Sequence, residues 1–299
     1  MRSTGTLLCL ASATAFGAMA VFGKLAYAEG ATPGTLLAVR FALAAALLWG
    51  VLIAARGGAG LRGLRRRDVA AGLALGALGY ALQAGCFFVA LERIDAGLLS
   101  LLVYTFPAMV AVAAALLGRE RLDARRGCAL VLAGAGLVLV VAGAGTGALD
   151  PLGATLGLAA AVTYSAYVLV GEHAAARTAP FALAALVCTG AAVSLTVGAS
   201  LAGELHPGAL TPAGWGWLTA LAAVSTVGAI GLFFAGLRRV GPTTASILAT
   251  AEPLVTVVLA FAVFGERLAP VQLAGGALVL GAVLALSVAA RPGPRTAAA

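Results

Sequence analysis

Ten apolar segments of about 20 residues follow one another along nearly the whole chain, and this pattern limits the fold more than any other feature. A helix of about 20 apolar residues is long enough to cross the hydrocarbon core of a bilayer. The connections are short and carry most of the charges, so none of them is long enough to form a soluble domain. The sequence therefore predicts an all-α polytopic membrane protein. Its ten transmembrane helices are predicted at residues 5–27, 33–55, 69–91, 97–117, 127–146, 152–172, 180–202, 214–236, 243–264 and 270–290.

The composition excludes the main classes of soluble protein. Of the 299 residues, 62% are hydrophobic and 10% are charged, whereas soluble domains contain about 45–50% apolar and about 25% charged residues. The four cysteines lie inside apolar segments without metal-like spacing, and the two histidines are isolated. We therefore expect no metal site and no cofactor. The net charge of +8 lies mainly in short connections between helices, so we expect the lipid bilayer, and not nucleic acid, as the partner of this charge.

The arginines are distributed unevenly between alternate connections. Cytoplasmic connections of membrane proteins carry an excess of Lys and Arg. If the N-terminus is cytoplasmic, only Arg93 and Arg267 fall in outer connections, and all other arginines outside the helices are cytoplasmic. The sequence thus predicts a multi-pass protein of the cell membrane with both termini in the cytoplasm. We expect the first segment to be retained and not cleaved as a signal peptide, because it has a counterpart later in the chain.

The chain contains an internal repeat. The stretch "FFVALERIDAGLLSLLVYTFPAMVAVAAALLGRERL", residues 87–122, aligns without a gap with "FFAGLRRVGPTTASILATAEPLVTVVLAFAVFGERL", residues 233–268. About a third of the positions are identical, and Pro107 matches Pro253. Because each repeat holds five helices, an odd number, the second copy must be inverted in the membrane. Inverted repeats are typical of secondary transporters, whose substrate site lies near the midplane between the halves.

The repeated segments resemble the EamA family of the drug/metabolite transporter superfamily. The resemblance rests on the Pro…"GRERL" and "EP"…"FGERL" helices, on "GKLA" and on "AVRFALAAALL", and it covers the chain as two copies. It implies two five-helix repeats, here at residues 1–146 and 147–291, followed by a cytoplasmic tail at 292–299. It also implies secondary transport, commonly export of metabolites or amino acids. The first copy departs from the second in having Phe106 where the second has Glu252.

Glu252 is the first candidate for a functional residue. It lies about ten residues, or roughly 15 Å, into its helix and hence near the midplane. An ionisable group at that depth is a functional candidate because it is costly to bury. Two interpretations remain open. Glu252 takes part in the transport cycle, where a proton would be exchanged, or it has a structural role as a hydrogen-bond or ion-pair partner beside Pro253.

Two cations also lie within predicted helices. The long stem of Lys24, near the outer end of the first helix, allows its ammonium group to reach the lipid headgroups. Arg40 lies deeper, so we expect it to pair with a carboxylate or with backbone carbonyls. Glu252 and Glu29 are the candidate carboxylates for Arg40, which would then have a structural or gating role.

Four further residues are candidates for the solute pathway or its movements. Pro107 and Pro253 occupy equivalent places and predict either a hinge or a static kink. Gln83 is expected to face a cavity or another helix, and Tyr104 and Tyr164 are expected either to line a site for an amphipathic solute or to join helices. We expect the pathway to be lined by the first, third, fourth, sixth, eighth and ninth helices, with the fifth and tenth at the periphery.

The favoured function is a secondary transporter, and the family resemblance implies export of small organic metabolites, amino acids or drugs. The alternatives are a polytopic membrane enzyme acting on a lipid-linked or prenyl substrate, and a channel or a non-transporting structural protein. No phosphate-binding loop, nucleophile elbow or HExxH motif occurs, and no catalytic residue is predicted. The expected partners are a small-molecule substrate and the bilayer, with the chain as a monomer or homodimer.

Overall fold

The ten predicted helices are all present. A computed structural model describes residues 2–56, 64–119, 123–143 and 150–289, and within these ranges the chain is helical without strands. The helices long and apolar enough to cross a membrane, called helix 1 to helix 10 in chain order, are Ser3–Ala28, Pro33–Ala54, Arg66–Leu91, Ala96–Leu116, Ala124–Ala142, Pro151–Ala175, Pro180–Leu201, Pro212–Val240, Thr244–Phe264 and Pro270–Val288. The predicted boundaries differ from these by at most four residues.

Some sequence predictions fall outside the described residues. These are the division between residues 146 and 147, the tail at 292–299, and several of the arginines used to predict orientation. The arginines concerned are Arg62, Arg121, Arg291 and Arg295.

Helices 4 and 9 are interrupted at equivalent places. Helix 4 consists of Ala96–Val103 and Phe106–Leu116, and helix 9 continues from Pro242–Ala249 into Ala251–Phe264. Proline lacks the N–H that would bond to the carbonyl four residues earlier, and its ring crowds that carbonyl. Each interruption lies within the turn before Pro107 or Pro253. Each of the two prolines is therefore accompanied by a local break in its helix.

Helices 3 and 8 share a second irregularity. Each contains a six-residue π-helical stretch, Leu75–Tyr80 in helix 3 and Ala223–Gly228 in helix 8. Such wide turns are rare and occur frequently at functional sites. Helix 1 is also interrupted, between Arg2–Gly17 and Met19–Ala28. The irregular turns of helices 1, 3, 4, 8 and 9 all lie away from the ends of these helices.

Small residues let the helices pack closely. A Cβ added to Gly76 of helix 3 would lie 2.0 Å from the carbonyl oxygen of Val187 in helix 7. Helices 5 and 10 pack against each other, and a Cβ on Gly136 or on Gly275 would lie 2.6 Å from the carbonyl oxygen of the other. Backbones can approach this closely only where a side chain is absent, which explains the many glycines in membrane helices.

At one face of the bundle, which we call the Lys24 face, polar contacts connect the end of helix 1 and the starts of helices 4 and 6. Lys24 Nζ lies 2.5 Å from Glu266 Oε1, and Glu266 Oε2 accepts a hydrogen bond from the N–H of Gly97 in helix 4 at 3.4 Å. Arg93, just before helix 4, pairs with Asp150 at the start of helix 6 at 3.1 Å. Helix 6 therefore begins at the face where helix 1 ends, which confirms the inverted arrangement of the two repeats.

The opposite face, which we call the Arg177 face, is joined by a second set of ion pairs. Arg177 Nε lies 3.0 Å from Asp68 Oδ1 and links the helix 6–7 connection to the start of helix 3. Arg119 Nη1 lies 3.6 Å from Glu172 Oε2 and links the end of helix 4 to the end of helix 6. Arg119 and Glu172 are both exposed, so their pair contributes little to stability, whereas the carboxyl group of Asp68 is buried beside Arg177.

Candidate functional site

A central cavity of about 740 Å³ lies between the two repeats. Residues of helices 1, 3, 4, 6, 7, 8 and 9 form its walls, and among the described residues none from helix 5 or helix 10 lines it. Helix 7 was not among the expected lining helices; its first two turns and Cys188 contribute to the wall. Helix 5 instead borders a separate apolar crevice beside helices 4 and 6.

The cavity extends towards the Arg177 face. Ala175, Thr178 and Pro180, around the helix 6–7 connection, line it on one side, and Leu237 and Pro242, around the helix 8–9 connection, line it on another. None of the described residues that line the cavity belongs to the connections of the Lys24 face, which ion pairs join to one another. The cavity thus reaches one of the two faces and not the other.

Among the described residues that line the central cavity, Glu252 is the one that is charged. It is half-buried, and among the described residues no side chain or backbone N–H forms an ion pair or hydrogen bond with its carboxyl group. An isolated carboxylate in apolar surroundings is unfavourable unless a proton or a cation neutralises it. The arrangement can therefore hold a proton or a cationic group of a solute.

The interruption of helix 9 places Glu252 at the cavity. Because Pro253 has no N–H, the carbonyl of Ala249 loses its partner within the helix. The hydroxyl group of Tyr104, in the other repeat, donates a hydrogen bond of 2.6 Å to this carbonyl. Tyr104, and not Glu252, thus compensates the backbone break that Pro253 creates.

Helix 1 contacts helix 9 at Glu252. The hydroxyl of Thr256 donates to the carbonyl oxygens of Gly17 at 2.9 Å and of Glu252 at 3.2 Å. A Cβ on Gly17 would lie 2.8 Å from the carbonyl oxygen of Glu252. In the other repeat, Ser165 of helix 6 donates a hydrogen bond of 3.1 Å to the carbonyl of Phe106. Each interrupted helix is therefore held by the first helix of the opposite repeat.

Aromatic rings form one wall of the cavity. The ring centroids of Tyr80 and Tyr167 lie 5.3 Å apart, those of Tyr167 and Tyr164 lie 6.0 Å apart, and those of Tyr164 and Phe106 lie 4.4 Å apart. Tyr104 continues the row at 6.0 Å from Phe106. Such a wall offers ring faces and hydroxyl groups to an amphipathic or cationic solute.

Arg40 lies behind this wall and does not pair as expected. Its side chain is 1% exposed, and it has no ion pair with Glu252, Glu29 or any other carboxylate in the described parts of the chain. Its Nε and Nη2 atoms each lie 3.4 Å from Thr226 Oγ1. Glu29 instead accepts a hydrogen bond from Thr211 in the helix 7–8 connection. The expected carboxylate partner was wrong because Glu252 and Glu29 face other elements.

Lys24 has an ion-pair partner that the sequence did not predict. Its ammonium group meets Glu266 at the Lys24 face, where the two side chains are 21% and 9% exposed. The Lys24 side chain also lies against the ring of Phe264, with Nζ 5.9 Å from the centroid. The helix 9–10 connection folds over the end of helix 1 and brings Glu266 to Lys24. The local sequence around Lys24 did not predict this partner.

The structure brings three of the predicted residues together at the cavity: Glu252, Tyr104 and Tyr164. Gln83, Pro107 and Pro253 do not line it. Sequence reasoning did not single out Tyr80 and Tyr167, although the spacing of Tyr164 and Tyr167 places both on one helical face. Among the described residues no group of three His, Cys, Asp or Glu side chains could hold a metal ion.

A solved crystal structure has the same fold. The two chains superpose with a TM-score of 0.66 over 98% of this chain and 100% of the other, at 19% sequence identity. At that identity the likeness concerns the fold alone.

Curated relatives are named transporters. The uncharacterized transporter YcbK of Bacillus subtilis (strain 168) is 26% identical over 288 residues, which cover 91% of this chain and 89% of that protein. The threonine/homoserine exporter RhtA of Escherichia coli (strain K12) is 29% identical over 223 residues, which cover 73% of this chain and 68% of RhtA. These names point to a transporter and away from an enzyme.

The family model agrees with the two-repeat architecture. The model of the EamA-like transporter family matches residues 3–142 and again residues 151–288, once for each group of five helices. The chain therefore belongs to the EamA-like transporter family.

Proposed function

We propose that the protein is a secondary transporter that exports small organic solutes with a cationic amino group across the cytoplasmic membrane by alternating access. The observation that carries this proposal is Glu252, whose carboxyl group has no partner among the described residues and is the only charged group among those that line the cavity. An ammonium group would supply the missing partner through a charge-assisted hydrogen bond.

The size and the walls of the cavity support a small solute. Sites for small molecules commonly have volumes of about 300–1,000 Å³ and mostly apolar walls with a few polar groups. The cavity volume of about 740 Å³ lies in that range. The aromatic wall also suits an ammonium group, because ring faces attract cations.

The direction of export is supported by the arginine distribution and by the open end of the cavity. The Arg177 face contains the connections that the positive-inside rule predicts to be cytoplasmic. A cavity that reaches this face would take up solute from the cytoplasm. Alternating access would then require the Arg177 face to close and the Lys24 face to open.

The name of RhtA suggests which amines to examine first. RhtA is a threonine/homoserine exporter, and both of these solutes carry an ammonium group. Amino acids are therefore the first solutes to test for this chain, followed by amines and drugs that contain an amino group.

The test is a solute panel with the full-length protein in proteoliposomes. The panel contains labelled amino acids, including threonine and homoserine, together with amines, carboxylic acids and sugars, each with and without a pH gradient. We expect transport of solutes that carry an amino group, and slower but measurable transport of these solutes in Glu252→Gln. The proposal is refuted if every solute moves no faster than in protein-free vesicles. It is also refuted if the protein prefers solutes without an amino group.

A further inference from the structure

We propose that Tyr80, held and polarised by Arg40, receives a carboxylate group of the solute, so that the central cavity selects zwitterions such as α-amino acids. Glu252 is the negative end of this site and the Tyr80 hydroxyl is the donor end. This inference rests on the proposed function, because it concerns solute bound in the same cavity.

The first observation is the uncompensated charge of Arg40. A guanidinium group is always charged and has five N–H donors. At 1% exposure it lacks water, and the described residues give it no carboxylate. It lies between two rings, with its Cζ 4.9 Å from the centroid of Phe41 and 5.1 Å from that of Phe88. The two rings offset part of the free-energy cost of burying the guanidinium group, but its net positive charge remains beside the cavity wall.

The second observation is that Arg40 meets the cavity through two hydroxyl groups. Thr226 and Tyr80 both line the cavity. Thr226 Oγ1 lies 3.4 Å from two guanidinium nitrogens, and the Tyr80 hydroxyl interacts electrostatically with the same guanidinium group. The charge of Arg40 therefore acts on the cavity through these two oxygens.

Only one of the two hydroxyl groups has a proton available for the solute. Thr226 donates its own proton to the carbonyl of Leu221 at 3.1 Å, a bond permitted by the π-helical stretch of helix 8. Tyr80 interacts electrostatically with the guanidinium group of Arg40, and among the described residues no atom accepts the Tyr80 proton. A hydroxyl polarised by a nearby cation becomes a stronger donor. The geometry thus leaves one polarised donor facing the cavity, which suits an anionic acceptor.

The ring of Tyr80 is held in place. Phe41 packs edge-on at 5.4 Å between centroids, and Tyr167 packs at 5.3 Å on another side. Glu252 interacts electrostatically with Tyr80 across the cavity. A carboxyl group and a polarised donor facing one small cavity match the two charges of an α-amino acid, and an amine without a carboxylate would satisfy only the Glu252 end.

The test compares three solutes that differ by one group each. L-Threonine has both charges, 1-amino-2-propanol lacks the carboxylate, and 3-hydroxybutyrate lacks the ammonium. Transport of each is measured in proteoliposomes with wild type, Tyr80→Phe, and the matched control Tyr164→Phe, which removes a hydroxyl from the same wall but not one beside Arg40. If the panel identifies another amino acid as a better solute, its decarboxylated and deaminated analogues take these places.

We expect wild type to prefer threonine over 1-amino-2-propanol. Tyr80→Phe should reduce this preference by about 10- to 100-fold, the range for a hydrogen bond to a charged group. The control Tyr164→Phe should leave the ratio of the two solutes unchanged. Arg40→Lys, which keeps the charge but not the planar donors, should shift the ratio in the same direction as Tyr80→Phe; should it fail to fold, the Tyr80→Phe comparison still decides.

The outcomes separate this inference from the proposed function. If wild type transports amines and amino acids equally well, or if Tyr80→Phe keeps the full preference for the carboxylate, the carboxylate site is refuted while amine export stands. If wild type transports none of the panel, the proposed function is refuted and this inference with it.

Discussion

Glu252 and Phe106 occupy equivalent positions in the two repeats, each directly before a proline, and both line the same cavity. Two identical halves would place either two carboxyl groups or none at this level. With one carboxyl group facing a ring, the cavity carries at most one negative charge. The inverted repeat thus supplies a symmetric framework in which one substitution makes the binding site asymmetric.

We predict that Glu252 makes transport depend on pH. The titratable groups that face it are the hydroxyls of Tyr104, Tyr164 and Tyr80, and no cationic residue lines the cavity in the described parts of the chain. Because no fixed cation holds the carboxylate, a proton and a solute ammonium compete for it. Glu252→Gln mimics the protonated side chain, so this variant should fold normally but lose the pH dependence of transport in a proteoliposome assay.

The matched control for Glu252 is Phe106→Leu, which alters the equivalent position without changing a charge. This variant should keep the pH dependence even if its rate changes. An unchanged pH profile in Glu252→Gln would exclude a coupling role. Loss of folded Glu252→Gln protein would favour the structural interpretation of this residue.

We predict that Tyr104 stabilises the break made by Pro253. Tyr104→Phe leaves the Ala249 carbonyl unpaired and should lower the free energy of unfolding by about 1–2 kcal/mol. In a Pro253→Ala background, residue 253 regains its N–H and can bond to the same carbonyl, so Tyr104→Phe should cost clearly less. Thermal unfolding of the four proteins in detergent gives this double-mutant cycle. Equal destabilisation in both backgrounds would contradict the assignment.

We predict that the ion pair of Lys24 and Glu266 keeps the Lys24 face closed. Removal of either partner leaves a poorly solvated charge, which destabilises the closed arrangement. The assay uses a protein without native cysteines in which Val103 is replaced by cysteine, and an impermeant thiol reagent is applied to the Lys24 face. Lys24→Met and Glu266→Gln should each increase the labelling rate of this cysteine several-fold. The double variant should be no more accessible than the more affected single variant.

The control for this gate is Arg93→Gln on the same face. Arg93 and Asp150 are 39% and 32% exposed, and exposed pairs contribute only about 0.2–1 kcal/mol. Arg93→Gln should therefore leave the labelling rate near that of the parent protein. An equal increase in all three single variants would show that general loosening, and not the Lys24–Glu266 pair, controls access.

We predict that Ala176 and Gly208 lie on opposite sides of the membrane. Both are exposed, Ala176 in the helix 6–7 connection and Gly208 in the helix 7–8 connection. In intact cells, an impermeant reagent should label Gly208→Cys, and it should label Ala176→Cys only after the membrane is opened. The reverse pattern would place both termini outside and would overturn the direction of export.

We predict a pH-dependent contribution of Asp150 to stability. Hydrogen bonds from the N–H of Gly153, the side chain of Arg93 and the N–H of Leu152 lower the pKa of Asp150. A carboxyl with a lowered pKa in the folded state stabilises the fold above its unfolded pKa, about 3.9, and this contribution is lost as the pH falls through the folded pKa. The melting temperature of Asp150→Ala should therefore be lower than that of wild type at pH 7, with a smaller difference near pH 3. In Asp150→Asn, which keeps the capping oxygen, the loss at pH 7 should be smaller.

The local sequence predicted the elements of the fold well. Segment length and apolarity determine which residues enter a bilayer, and the five-helix period determines that the second copy is inverted. Depth along a helix follows from residue number, so Glu252, Pro107 and Pro253 were correctly placed near the middle of their helices. The arginine distribution predicts an orientation that the fold itself does not test.

The sequence by itself determined the ten helices and the mid-helix carboxyl group, because these depend on composition and spacing within about 20 residues. It also determined the inverted repeat, because this follows from the alignment of the two halves and the odd number of helices in each. Only the tertiary structure decided the partners: Tyr104 with Ala249, Arg40 with Thr226, and Lys24 with Glu266. The members of these pairs are 145, 186 and 242 residues apart in the chain. Spacing gives the depth and the face of a side chain, whereas its neighbour depends on how helices from both repeats pack around one cavity.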